Sequence, residues 1–135
     1  MKVLTALIIL FCLAGVVVAS LALGEHYNTE PSPCRINDVW DCGVVNHSPY
    51  AVFHRVPVAI IGIVGYALLA ALAGRLPRVT AAFALVAIGF ALRLTWIEWK
   101  VLQVWCMYCV ASQVIIAIVT ALALVQAGLT LRRAA

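Results

Sequence analysis

Five cysteines in 135 residues carry most of the chemistry this chain can offer, and they are unevenly spaced. Cys106 and Cys109 stand three apart in the stretch Trp105-Cys106-Met107-Tyr108-Cys109. On a helix that spacing puts both sulfurs on one face, where they can close into a disulfide or hold a reactive thiolate beside a partner. Cys34 and Cys42 form a second, wider pair in the one long polar stretch. Cys12 stands alone inside an apolar run, where a buried and inert thiol is expected.

A lone C-x-x-C is equally compatible with a fixed disulfide or with half of a zinc site. Zinc sites usually combine two tight pairs, often with histidines at helical spacing. Cys34 and Cys42 are eight positions apart, and His26, His47 and His54 keep no such register, so no metal site is expected. Two permanent disulfides stay open as an alternative, although an apolar helical protein has ample core and little need for staples. Two pairs that exchange electrons fit better.

The elements that must position these thiols follow from composition. The chain is 66% hydrophobic and 10% charged, with a mean hydropathy of +1.11, which is far from an ordinary soluble domain. It reads as an all-α integral membrane protein, one domain over residues 1–135, because a span needs ~20 apolar residues and open sheets cannot satisfy their backbone in hydrocarbon. The apolar runs predict four transmembrane helices near 3–23, 56–73, 79–95 and 106–131, with a long polar loop over 24–55 between the first two. The first run is read as a helix, since it exceeds the ~7–15 residues of a signal-peptide core. Pro57 is acceptable in the first turn of the second helix. Trp96, Trp99 and Trp105 mark an interfacial belt around Glu98 and Lys100.

The net charge of +4 is no sign of a nucleic-acid partner, because the basic residues are scattered between apolar runs. Lys2, Arg75, Arg78, Arg132 and Arg133 fall at the termini and the second loop, while all five acids fall in the first and third loops. The positive-inside rule then puts both termini in the cytoplasm and Cys34, Cys42, Cys106 and Cys109 on the extracytoplasmic side, where disulfides persist. A thiolate at the start of the last helix would gain from the helix dipole and lose from apolar surroundings, so its net pKa shift stays open. A quinone dissolved in the bilayer could reach these sulfurs and accept two electrons.

Several features taken together resemble the vitamin K epoxide reductase family. They are an outer loop with cysteines eight apart, Ser48 six residues after the second, a proline at the start of the next helix, and C-x-x-C at the outer start of the last. The stretches Ser48-Pro49-Tyr50-Ala51, Val56-Pro57-Val58-Ala59 to Gly62, and Leu94-Thr95-Trp96-Ile97-Glu98 are similar to its bacterial branch. The likeness covers nearly the whole chain. It implies a four-helix bundle around a quinone, ubiquinone or menaquinone, in the bacterial cytoplasmic membrane, with loop cysteines relaying electrons from a secreted thioredoxin-fold partner. By position, Cys34 would face the partner, Cys42 would be its disulfide mate and exchange with Cys106, and Cys109 would face the quinone. Ser48 would lie near that quinone. Animal members carry a tyrosine where this chain has Gln113, whose amide can still donate to a quinone carbonyl, and an asparagine where it has the apolar stretch Val58 to Ile61. Epoxide reduction is thereby in doubt, and quinone reduction is not. The chain stops at Ala135, so a separate protein is expected to deliver electrons.

Other residues have plainer readings. Arg93 is expected to snorkel to head groups, Glu98 to anchor the interface, and Asp38, Asp41 and His47 to face solvent. The resulting expectation is a quinone-linked disulfide-generating oxidoreductase. The alternatives are a carrier passing a soft metal ion between thiolate pairs, and a structural membrane subunit with fixed disulfides.

Overall fold

The computed structural model describes residues 1–27 and 36–134. The elements run α1 (Lys2–Tyr27), α2 (Cys42–Asn46), a 3-10 turn (Pro49–Ala51), β1 (Val52–Phe53), β2 (Val56–Pro57), α3 (Val58–Leu72), α4 (Pro77–Ile97), a π-helical turn (Glu98–Leu102) and α5 (Met107–Ala134). Three segments, Lys2–Tyr27, Pro77–Leu102 and Met107–Ala134, are long and apolar enough to cross a membrane. The fourth apolar helix, α3, has 15 residues and at 1.5 Å per residue reaches only roughly 22 Å.

An apolar chain in hydrocarbon must bond its own backbone, and uninterrupted helices do so. α1 packs between α3 and α5, and α5 packs in turn against α4, while α3 and α4 touch more lightly. Pro77 opens α4 at its first turn, where its missing N–H costs nothing. The shared core is made of Ile8 and Cys12 on α1, Tyr66 and Leu69 on α3, Ala81 and Ala84 on α4, and Ile116, Val119 and Ala123 on α5. The small residues let the backbones approach closely, which substitutes for the missing hydrophobic drive between helices in lipid. Cys12 is a free thiol within this core.

One end of the bundle gathers the start of α1, the end of α3 and the end of α5. Gln126 Nε2 donates to Thr5 Oγ1 at 2.7 Å, and a Cβ on Gly74 would meet the Thr5 methyl at 3.3 Å. The opposite end carries α2, the hairpin and the C-x-x-C.

The polar loop expected from residue 24 begins later. α1 continues through Glu25 and His26 because α2 folds over its last turn: Glu25 is buried, and His26 Nδ1 donates to the Asn46 carbonyl at 2.6 Å. β1 and β2 form an antiparallel hairpin with Phe53 opposite Val56. Its two turn residues, His54 and Arg55, both have positive φ, 49° and 69°, as tight two-residue hairpins require. Phe53 packs edge-to-face on Phe90 of α4, with ring centroids 5.8 Å apart.

Gly15 of α1 lies directly against the Tyr66 ring of α3. A Cβ at Gly15 would stand 2.6 Å from three ring atoms, and the ring is pinned at its far end, its hydroxyl donating to Ser112 O and accepting from Ser112 Oγ on α5, both at 2.9 Å. Gly15→Ala should therefore destabilise the bundle by about 1–3 kcal/mol, the usual cost of overpacking. Thermal unfolding in detergent should show a lowered midpoint, and an unchanged one would mean that the ring is free to move aside.

Candidate active site

The loop before α2 is shaped by its own short side chains. Asn37 Oδ1 accepts from the backbone N–H of Val39 at 2.8 Å and of Trp40 at 3.0 Å, an Asx turn that reverses the chain. The reversed strand then lies parallel to the residue before the C-x-x-C. Trp105 N–H donates to Val39 O at 2.6 Å and Asp41 N–H to Trp105 O at 2.9 Å, with the Trp40 and Trp105 rings 6.2 Å apart. Asp41 caps α2, its Oδ1 accepting from Gly43 N at 2.9 Å and Val44 N at 3.4 Å. Asp41 is thus a helix cap, where solvation alone was expected. Cys42 follows as the first residue of α2, fully buried and disulfide-bonded. Cys34 lies outside the described residues.

The second half of the site is built by the end of α4. After Ile97 the helix widens into a π turn, and Gln103 leaves it in the left-handed region at φ 55°. Such π insertions occur frequently at functional sites, and a left-handed non-glycine residue costs of order 1–3 kcal/mol. The result is that Glu98 turns inward. It is 4% exposed, and its Oε2 accepts the Cys106 N–H at 3.2 Å. The expected interfacial anchor is therefore a buried carboxylate on the backbone of the C-x-x-C.

Cys106 stands just before α5 and takes the place of an N-cap acceptor. Its Sγ accepts the Cys109 N–H at 3.4 Å and Asn46 Nδ2–H at 3.5 Å, and Asn46 Nδ2 also donates to Cys42 O at 2.8 Å. These donors hold the Cys106 thiol below its ordinary pKa. The hydrogen bond from the Cys109 thiol is the largest cause; the Cys109 amide and Asn46 add to it, against burial and the charge of Glu98. Cys106 and Cys109 are both free thiols.

The two sulfurs of the C-x-x-C face different surroundings. Cys106 is fully buried in a small cluster with Cys42 and Val45. Cys109 lines a cavity of about 600 Å³, whose walls are mostly apolar residues of α1, α3, α4 and α5. Its polar lining includes Asn46, Ser48, Tyr66, Glu98, Ser112 and Gln113. The Ser48 hydroxyl donates to Val45 O at 2.7 Å, so only its lone pairs remain for a ligand. Gln113 Oε1 accepts from Thr95 Oγ1 at 3.1 Å, which leaves its NH₂ without a partner among the described residues. The volume falls in the range of small-molecule sites, and an apolar slot with one free amide donor beside a thiol suits a flat ring bearing carbonyl groups. Among the described residues, no three His, Cys, Asp or Glu side chains come together to hold a metal ion.

A family model, that of the vitamin K epoxide reductase family, matches residues 6–124. The chain belongs to the vitamin K epoxide reductase family. It is thus a membrane redox enzyme of the disulfide-generating kind, in a family that uses quinones and a redox partner. No curated protein matches the chain.

Two residues of this vitamin K epoxide reductase family site were not legible as such. Glu98 carried one available signal: it is an ionisable residue at the end of an apolar run, which by default marks function. Asn46 carried another, at i+4 from Cys42 on a short helix, but only the fold brings it to Cys106. Arg93 is exposed and borders a separate cavity of about 90 Å³. His47 is exposed.

Reactivity of Cys106 should follow its thiolate fraction. As pH falls, alkylation by a small neutral reagent should decline through a midpoint below that of an ordinary thiol, because the folded-state pKa is lowered. Asn46→Ala removes one donor to the sulfur, about 1 kcal/mol, so the midpoint should move up and the rate at neutral pH fall roughly five-fold. A midpoint indifferent to Asn46 would remove it from the site.

Proposed function

We propose that the protein oxidises the dithiol of a thioredoxin-fold partner and passes the electrons to a membrane quinone, ubiquinone or menaquinone, generating disulfides for secreted proteins. One observation carries this reading: the disulfide-bonded Cys42 shares a buried cluster with the free thiol of Cys106, while Cys109 opens onto the apolar cavity. The two ends of one C-x-x-C thus face a second cysteine and a lipid-like compartment.

Each transfer is thiolate attack on a disulfide. A partner thiolate attacks the Cys34–Cys42 bond at Cys34, and resolution by its second thiol leaves both loop cysteines reduced. Cys42 then attacks the Cys106–Cys109 bond at Cys106, and Cys109 leaves as the thiol. Cys34 attacks Cys42, which restores the loop disulfide and frees Cys106. The electron pair now resides in the Cys106/Cys109 dithiol. A quinone bound in the cavity supplies the acceptor for two electrons and two protons. Gln113 holds its carbonyl through the free NH₂, with Ser48 nearby, and the apolar walls exclude water.

In this reading α3 completes a four-span bundle over residues 1–135, the hairpin that leads into it extending its short reach across the bilayer. Both termini are cytoplasmic and the redox end is extracytoplasmic. The gathering of Lys2, Arg75, Arg78, Arg132 and Arg133 at the chain ends and the α3–α4 turn supports that orientation.

Purified protein in detergent, mixed with a reduced thioredoxin-fold protein and a short-chain quinone, should form quinol, followed by its absorbance. Cys106→Ala should abolish turnover, whereas Ala87→Phe, which narrows the cavity, should raise the KM for quinone and leave thiol exchange with the partner intact. No turnover by the wild type, or full turnover by Cys106→Ala, would overturn the mechanism.

A further inference from the structure

The exchange just described moves a proton at Cys109 in each direction, and Cys109 lies at the mouth of an apolar cavity. The thiol must lose its proton whenever the Cys106–Cys109 bond closes, and it must gain one whenever that bond is cut at Cys106. Water is scarce there. The only carboxylate lining the cavity among the described residues is Glu98.

Its placement is specific. Glu98 is 4% exposed, on the π turn that rotates it inward. One oxygen accepts the Cys106 N–H at 3.2 Å, and Glu98 lines the same cavity as Cys109. A lone buried carboxylate is costly unless it is paired or bonded. Holding one backbone amide needs only a neutral acceptor such as a glutamine oxygen, and an ionisable group does more.

We propose that Glu98 is the catalytic proton carrier of the C-x-x-C, taking the proton of Cys109 when the Cys106–Cys109 disulfide forms and returning it when that disulfide is opened. This rests on the thiol/disulfide reading above and adds the group that handles its protons. In the closing direction Cys106 is first joined to the oxidant; the Cys109 S–H proton then passes to the Glu98 carboxylate, and the sulfur lone pair forms the bond to Cys106 as the Cys106–oxidant bond breaks and its electron pair leaves with the oxidant. In the opening direction Cys42 forms its bond to Cys106, the Cys106–Cys109 electron pair stays on the Cys109 sulfur, and Glu98 supplies the proton.

Closure can be driven without any quinone by a small apolar disulfide, 2,2′-dipyridyl disulfide. Cys106 and Cys109 are oxidised to their disulfide and the reagent is reduced to two molecules of pyridine-2-thione, which are followed by absorbance. Glu98→Gln keeps an acceptor for the Cys106 amide but takes no proton. It should close the disulfide about 100-fold more slowly, the scale of lost general-base catalysis, with an unchanged melting midpoint. Glu98→Ala should be equally slow and should recover in proportion to added formate, a carboxylate small enough for the cavity. Wild-type closure by Glu98→Gln, or a slow Glu98→Ala that ignores formate, would overturn the proposal. Glu98-dependent closure in a protein that never reduces quinone would overturn the proposed function alone.

Discussion

Two backbone hydrogen bonds, from Trp105 to Val39 and from Asp41 to Trp105, at 2.6 and 2.9 Å, hold the site together. They join a polar loop to the start of α5 across more than sixty positions of sequence and leave Cys42 and Cys106 one residue beyond on either side. Everything downstream depends on this short parallel pairing. The Asp41 cap starts α2 at Cys42, α2 delivers Asn46 four residues later, and Asn46 reaches both the Cys42 carbonyl and the Cys106 sulfur. The Trp40 and Trp105 rings lie beside the pairing, 6.2 Å apart and tilted by 31°. Without it, the loop would have no register against the bundle, and a thiol exchange that requires in-line approach of sulfurs would have no fixed geometry.

A second constraint is the division of one C-x-x-C between two media. Three residues apart on a helix, the sulfurs would ordinarily share an environment. Here Cys106 is at the helix start, with N–H donors turned on its sulfur, while Cys109, a turn deeper, meets an apolar cavity. Donors favour the anion, and hydrocarbon favours the neutral thiol. The pair is therefore polarised toward a Cys106 thiolate, the sulfur nearer Cys42. Glu98 completes the asymmetry from the other side, bonded to the Cys106 amide and lining the cavity that Cys109 faces. The π turn and the left-handed Gln103 are the local distortions that allow a residue of a spanning helix to reach back so far.

Membrane class, helical content and the cysteine pattern could be read from the chain because they depend on composition and period alone. A run of about twenty apolar residues has few options in hydrocarbon, and C-x-x-C is a local spacing. The extent of α1 could not be read so easily. Glu25 and His26 look like loop residues until α2 is folded over them, and then the His26 bond to Asn46 makes them the last turn of a helix. Glu98 was similarly opaque. Between two tryptophans at the end of a span it has the sequence context of an interfacial anchor, and only the π turn reverses that. Ser48 and Gln113 both line the cavity, yet their hydrogen-bonding states differ: the serine proton is spent on Val45, whereas the glutamine NH₂ has no partner among the described residues. No spacing rule distinguishes the two.

By itself, the sequence determined that this is an apolar helical membrane protein with two cysteine pairs and that one of them opens the last helix, since these are one-dimensional properties of residue type and interval. The tertiary structure decided which sulfur receives N–H donors, which faces the cavity, and that a carboxylate eight residues upstream is buried on the Cys106 amide. Those outcomes depend on hydrogen bonds between segments that are remote in the chain, and on burial, which exists only once the helices have packed.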